Sequence, residues 1–110
     1  MAIHKKEAFG EREQEFAALA KAMSHPARLA IMKVLASRNE CICGEIVEVL
    51  PLAQSTVSQH LKELKEVGLI QGETDGPRSC YCINWEKVNY FQQAFNSMFT
   101  NLKESHNRCC

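Results

Sequence analysis

No stretch of this chain is apolar for long enough to span a bilayer, which takes roughly 20 consecutive apolar residues. The opening residues, Met1-Ala-Ile-His-Lys-Lys-Glu7, lack the apolar core of a secretory signal. No membrane partner is expected, and a cytoplasmic location is. There is no internal repeat, low-complexity tract or interdomain linker, so residues 1–110 are expected to form a single domain with a modest core. A surplus of one charge is also missing: 13 Lys and Arg balance 13 Asp and Glu. That balance weighs against a constitutive, tight nucleic-acid binder, which is usually basic. It suits a protein that must let go on a signal, whose electrostatic attraction can be small. No Ser/His/Asp set, paired carboxylates or phosphate loop is present, and His4, His25, His60 and His106 are scattered. An enzyme is not expected, and no cofactor is required.

What the chain does have is concentrated in Gln54-Ser-Thr-Val-Ser-Gln-His-Leu-Lys-Glu-Leu-Lys-Glu-Val-Gly-Leu-Ile70. Val57, Leu61 and Leu64 recur at the spacing of one helical face. Ser55, Gln59 and Lys62 point the opposite way. Short hydroxyls and amides near a helix N-terminus reach base edges and phosphates in a major groove without steric conflict. A surface helix needing only solubility more often carries long charged side chains. Gly68 ends the helix, and Ser55 is placed to cap its start.

The flanking segments fit the same reading. Gly44–Leu50 is a short amphipathic helix with Ile46, Val47 and Leu50 on its apolar side, and 51–54 is a tight connector. Helix, short turn, helix is a helix-turn-helix. Leu69–Thr74 and Ser79–Asn84 read as strands around the turn signal Asp75-Gly-Pro77, which makes a wing with Arg78 at its tip. The DNA-binding candidates are therefore Gln54, Ser55, Thr56, Ser58, Gln59, Lys62 and Arg78. His60, on the flank, is either a phosphate contact or a packed side chain.

The remaining helices are expected at Phe9–Met23, Pro26–Ser37 and Trp85–Ser105. The last carries a stripe of Val88, Phe91, Phe95, Met98, Phe99 and Leu102. One small winged unit cannot bury all of it. A two-fold homodimer built from the helices at about 9–23 and 85–105 is the economical answer. The DNA-reading unit then lies at about 44–84. The fold class is mainly α with a small β-hairpin, a winged helix-turn-helix dimerising through its terminal helices.

These residues resemble the ArsR/SmtB family of metal- and thiol-responsive repressors over about Leu19–Asn84. The resemblance rests on Leu19-Ala-Lys-Ala-Met-Ser-His-Pro-Ala-Arg-Leu-Ala-Ile-Met32, on the 54–70 stretch, and on Gly76-Pro-Arg-Ser-Cys-Tyr-Cys-Ile83. It implies a dimer on double-stranded operator DNA that is released when an inducer binds.

Six cysteines come in pairs, Cys41/Cys43, Cys80/Cys82 and Cys109/Cys110. A reducing compartment argues against structural disulfides and for thiol or metal chemistry. Arsenic and cadmium sensors of the resembled family carry a Cys-x-Cys just before the helix-turn-helix. Here Glu40-Cys-Ile-Cys-Gly-Glu-Ile46 sets Cys41 and Cys43 one residue early, where they serve either as buried substitutes for aliphatics or as a shifted site. Cys80 and Cys82 share one strand face; with Cys41 and Cys43 brought near, they would make a four-thiolate zinc site, and otherwise they are unrelated small residues. Cys109 and Cys110 follow a polar run, with His106 and Arg108 nearby to favour thiolate. They are either a soft pair for As(III), Sb(III) or another soft metal ion, or incidental thiols. The metal-ligand candidates are thus Cys109, Cys110, Cys41 and Cys43.

The expected function is an operator-binding repressor that senses a thiophilic metalloid or metal such as arsenite. A thiol-based redox or reactive-sulfur sensor of the same fold is the alternative. A winged-helix protein-interaction module without DNA binding is the third.

Overall fold

The computed structural model describes residues 8–38, 42–43, 50–73 and 80–106. Four helices and a three-stranded sheet are seen there. They are α1 (Glu11–Met23), α2 (Pro26–Ala36), β1 (Ile42–Cys43), α3 (Gln54–Glu66), β2 (Ile70–Glu73), β3 (Cys80–Ile83) and α4 (Trp85–Ser105). The helix expected at 44–50, apart from Leu50, and the wing tip with Arg78 lie outside the described residues.

Each boundary has a local cause. Helix α1 starts at Glu11, two residues later than expected, because Gly10 is extended and serves as its N-cap. Phe9 is left outside the helix and largely exposed. Ser24 breaks the chain, and α2 restarts with Pro26 in its first turn, where a missing N–H costs nothing. His25 caps α2: its Nδ1 accepts a hydrogen bond from the Ala27 N–H at 3.0 Å. Helix α3 closes through Gly68, whose φ of +84° suits glycine. The Gly68 N–H donates to the Lys65 carbonyl and the Leu69 N–H to the Leu64 carbonyl, the two bonds of a Schellman motif. That turn feeds the chain straight into β2. Asn84 caps α4 by accepting from the Lys87 N–H.

The sheet runs β1-β3-β2, all antiparallel. The register pairs Ile70 with Ile83 and Glu73 with Cys80 in the hairpin, and Cys43 with Cys80 across the other edge. The strand before the reading helices thus pairs with the second wing strand.

The core is built from Leu19 and Ala22 of α1, Ile31, Met32 and Leu35 of α2, and Val57, Leu61 and Leu64 of α3, closed by Leu69, Ile70, Tyr81 and Ile83 at the sheet. Helix α4 contributes no buried residue. Val88 and Phe91 pack only partly against the core, while Phe95, Phe99 and Leu102 stay exposed. Tyr90 and Lys87 tie α4 to α1 by reaching Glu15, the hydroxyl donating at 2.5 Å and the ammonium lying at 3.6 Å. Phe16 of α1 lies 5.3 Å from Phe91 and 5.7 Å from Phe95, ring centre to ring centre. No helix among the described residues is long and apolar enough to cross a membrane.

Leu64 is wholly buried and also supplies a carbonyl to the closing turn. Replacing it with Ala should destabilise the fold by about 2–5 kcal/mol, read from urea unfolding, through the cavity it leaves. A loss below about 1 kcal/mol would mean that α3 is not seated on this core.

Candidate nucleic-acid interface

Helix α3 divides into two faces. Val57, His60, Leu61 and Leu64 are buried, whereas Gln54, Ser55, Thr56, Ser58, Gln59 and Lys62 are all exposed. Burial of the first set forces the second outward, because the two share a rigid helix. The exposed set is small and polar, rich in hydroxyl and amide groups that both donate and accept.

The N-terminus of α3 departs from expectation in one respect. The cap is Ala53, not Ser55, and no side chain caps the helix. Thr56 and Val57 donate their N–H groups to the Ala53 carbonyl at 3.1 Å. Ser55 therefore lies inside the first turn with its hydroxyl outward. The turn carries no acid, so nothing on it opposes an anion at the positive end of the helix dipole. A backbone phosphate fits such an end.

His60 belongs to the other face. It is 8% exposed, and its Nδ1 accepts a hydrogen bond from Arg28 Nε at 3.1 Å. Of the two roles weighed from sequence, phosphate contact or packed side chain, its placement is that of the packed one, which is a correction to its inclusion among DNA-facing residues. Arg28, His25 and Glu63 surround it and were assigned no role from sequence. Arg28 pairs with Glu63 and also donates to the carbonyls of Lys21 and Ala22, at 3.4 and 3.2 Å. The His25 and His60 rings lie 4.5 Å apart. One signal was available: His60 and Glu63 are three residues apart on α3, so a single partner can meet both. This pairing also refines the charge reading. Glu63 is neutralised by Arg28, while Lys62 and Lys65 remain exposed.

The cysteine candidates are less completely placed. Cys41, Cys109 and Cys110 lie outside the described residues, and Cys43 is described by its backbone alone. The backbone register sets Cys43 directly across from Cys80. Cys80 is disulfide-bonded, which departs from the expectation of unpaired thiols.

A helix with one buried and one polar face, followed at once by an antiparallel hairpin, defines a winged helix-turn-helix protein. The family of bacterial regulatory proteins called the arsR family matches residues 25–71. The chain is 41% identical over 76 residues to the HTH-type transcriptional regulator YgaV of Escherichia coli, covering 69% of this chain and 77% of that one. It is 40% identical over 86 residues to an arsenical resistance operon repressor of Bacillus subtilis, covering 77% of each. A homodimeric winged helix-turn-helix DNA-binding domain of Mycobacterium bovis shares the fold with a TM-score of 0.61 at 22% identity, over 93% of this chain and 95% of that one. The chain belongs to the arsR family, whose members are transcriptional regulators and not enzymes.

Gln59 is the longest neutral side chain at the centre of the exposed face. Gln59→Ala should weaken binding to an operator duplex by about 1–3 kcal/mol, measured by fluorescence anisotropy, if its amide reads a base edge. Unchanged affinity would remove Gln59 from the reading surface.

Proposed function

We propose that the protein is a cytoplasmic, homodimeric repressor that binds double-stranded operator DNA through α3 and its wing and releases it when a thiophilic species engages its cysteines. Gln54, Ser55, Thr56, Ser58, Gln59 and Lys62 make the α3 contacts, and Arg78 reaches a phosphate or the minor groove from the wing. The observation that carries this reading is the exposed, hydroxyl- and amide-rich face of α3 held outward by a buried apolar face. The DNA-reading unit is about 44–84, and the helices at about 9–23 and 85–105 dimerise.

The dimer is supported by the apolar stripe of α4. Phe95 and Phe99 are each 43% exposed and lie against one another with tilted rings, their centres 4.7 Å apart. A contiguous aromatic surface of this kind seeks a partner. The homodimeric Mycobacterium bovis domain of the same fold is in keeping with it. Two-fold pairing would also present two α3 helices to two half-sites. Phe95→Asp should convert the dimer to monomer or aggregate and abolish operator binding. Sedimentation showing monomeric wild type at micromolar concentration would contradict the dimer.

The inducer we favour is As(III), Sb(III) or another soft metal ion held by thiolates of Cys109 and Cys110, with Cys41 and Cys43 as the second candidates. The arsenical resistance repressor among the relatives supports that chemistry. Arsenite should release the operator from reduced wild-type protein, and the double change Cys109→Ser, Cys110→Ser should blunt the response without loss of DNA binding. If the double variant responds unchanged and Cys41→Ser or Cys43→Ser does not, the sensor is the earlier pair.

A specific observation favours a second reading, redox or reactive-sulfur sensing. Cys80 is disulfide-bonded, and Cys43 occupies the register position across from it. Two thiols and one hydrogen peroxide yield one disulfide and two waters, so hydrogen peroxide is an oxidant sufficient to complete such a pair. Release by peroxide or polysulfide but not by arsenite would select this reading over the first.

A further inference from the structure

The polar cluster behind α3 is used by neither the DNA-facing surface nor the cysteines. Its centre is Arg28, whose side chain is only 14% exposed. A guanidinium that far from water is costly unless its donors are met. Here they are met from two other helices. Nε donates to His60 of α3, Nη1 donates to the last carbonyls of α1 at Lys21 and Ala22, and Nη2 pairs with Glu63 of α3. Arg28 itself sits on α2.

The apolar contacts of Val57, Leu61 and Leu64 fix how deeply α3 is seated, but dispersion forces have little directionality. Hydrogen bonds do, and their strength falls steeply with misalignment. The rotation of α3 about its own axis decides which side chains meet a groove. The bonds from Arg28 to His60 and Glu63 are directional links from α3 to the rest of the fold on that flank.

We propose that Arg28 and His60 are positioning residues for DNA recognition, and that protonation of His60 loosens α3 and lowers operator affinity. The proposal rests on α3 being the DNA-reading helix. Its chemistry follows from the acceptor. Arg28 Nε is always a donor, so His60 must present an unprotonated Nδ1 and carry its proton on Nε2. Adding a proton to Nδ1 would oppose two donors and two cations across 3.1 Å. The bond would be lost and the helix flank repelled.

The charged groups acting on His60 are His25 and Arg28 from α2 and Glu63 from α3. Helix α1 gives the Lys21 and Ala22 carbonyls, which Arg28 occupies, and its Glu13 and Lys21 line the groove beside Arg28 and Glu63 together with Glu66 of α3. Burial is the largest influence and holds the imidazole below the ordinary histidine value of 6.5; His25 and Arg28 act the same way, and Glu63 opposes them. The sign follows. A histidine lowered in the folded state contributes fully above the unfolded value and loses its contribution as pH falls through the lowered one. Arg28 and Glu63 also line an open groove between α1 and α3, which gives water and protons a route to the cluster.

The test uses full-length protein and the variant His60→Asn, whose amide oxygen can take the place of Nδ1 without titrating. NMR of free wild type should show the Nε2–H tautomer of His60 at pH 7.5. The amide shifts of 54–62 should move with the His60 titration, and the variant should not show this movement. Operator affinity of wild type should fall severalfold between pH 7.5 and 5.5, short of the roughly tenfold that an unshifted histidine would allow over that range. His60→Asn should flatten that profile, and Arg28→Lys, which cannot reproduce the fork, should weaken binding at every pH. An Nδ1–H tautomer, or a His60→Asn variant that keeps the wild-type pH profile, would overturn the proposal. Failure to bind any duplex at pH 7.5 would instead overturn the repressor reading. In that case the tautomer and the helix shifts still decide the Arg28–His60 link.

Discussion

The structure depends on the burial of one face of α3. Val57 and Leu64 are completely enclosed and Leu61 nearly so, by α2 on one side and the sheet on the other. Each such side chain gives about 1.5–3 kcal/mol relative to exposure, enough to decide the orientation of a helix of 13 residues. Because helix geometry is rigid, the same burial dictates that Ser55, Gln59 and Lys62 face water. The outward setting of this polar face follows from the core.

Polar contacts then refine what apolar packing cannot. The Schellman turn at Gly68 stops α3 and launches β2 directly, so helix and wing form one unit. Arg28 joins α1, α2 and α3 around a single guanidinium and keeps Glu63 from adding negative charge to the exposed side. This bears on the neutral net charge of the chain. Local electrostatics depend on which charges are paired internally: with Glu63 held by Arg28, the exposed charges of α3 are Lys62, Lys65 and Glu66.

Much of this was legible in the sequence because it rests on periodicity. Val57, Leu61 and Leu64 mark the buried face of α3, and the stripe from Val88 to Leu102 marks α4, whose observed limits agree with those expected. The hairpin was legible from alternating Cys80 to Ile83, although Leu69 and Asn84, expected at the strand ends, lie outside the strands. The cap of α3 was misread because Ser55 has cap chemistry, whereas the extended backbone at Ala53 fixes where the helix begins. The inward turn of His60 and its link to Arg28 depend on how α2 crosses α3, which residue spacing within either helix does not encode. The pairing of Cys43 with Cys80 is likewise a property of strand register. It follows from how β1 meets β3 and not from the spacing within Cys41-Ile-Cys43 or Cys80-Tyr-Cys82.

The central claim is that two copies of α3 read DNA sequence. Selection from a pool of random duplexes, with reduced full-length protein at physiological salt, tests it with no operator chosen in advance. The account predicts enrichment of a two-fold symmetric sequence with half-sites about one helical turn, or about 10 base pairs, apart. Recovery of duplexes with no common sequence would contradict it.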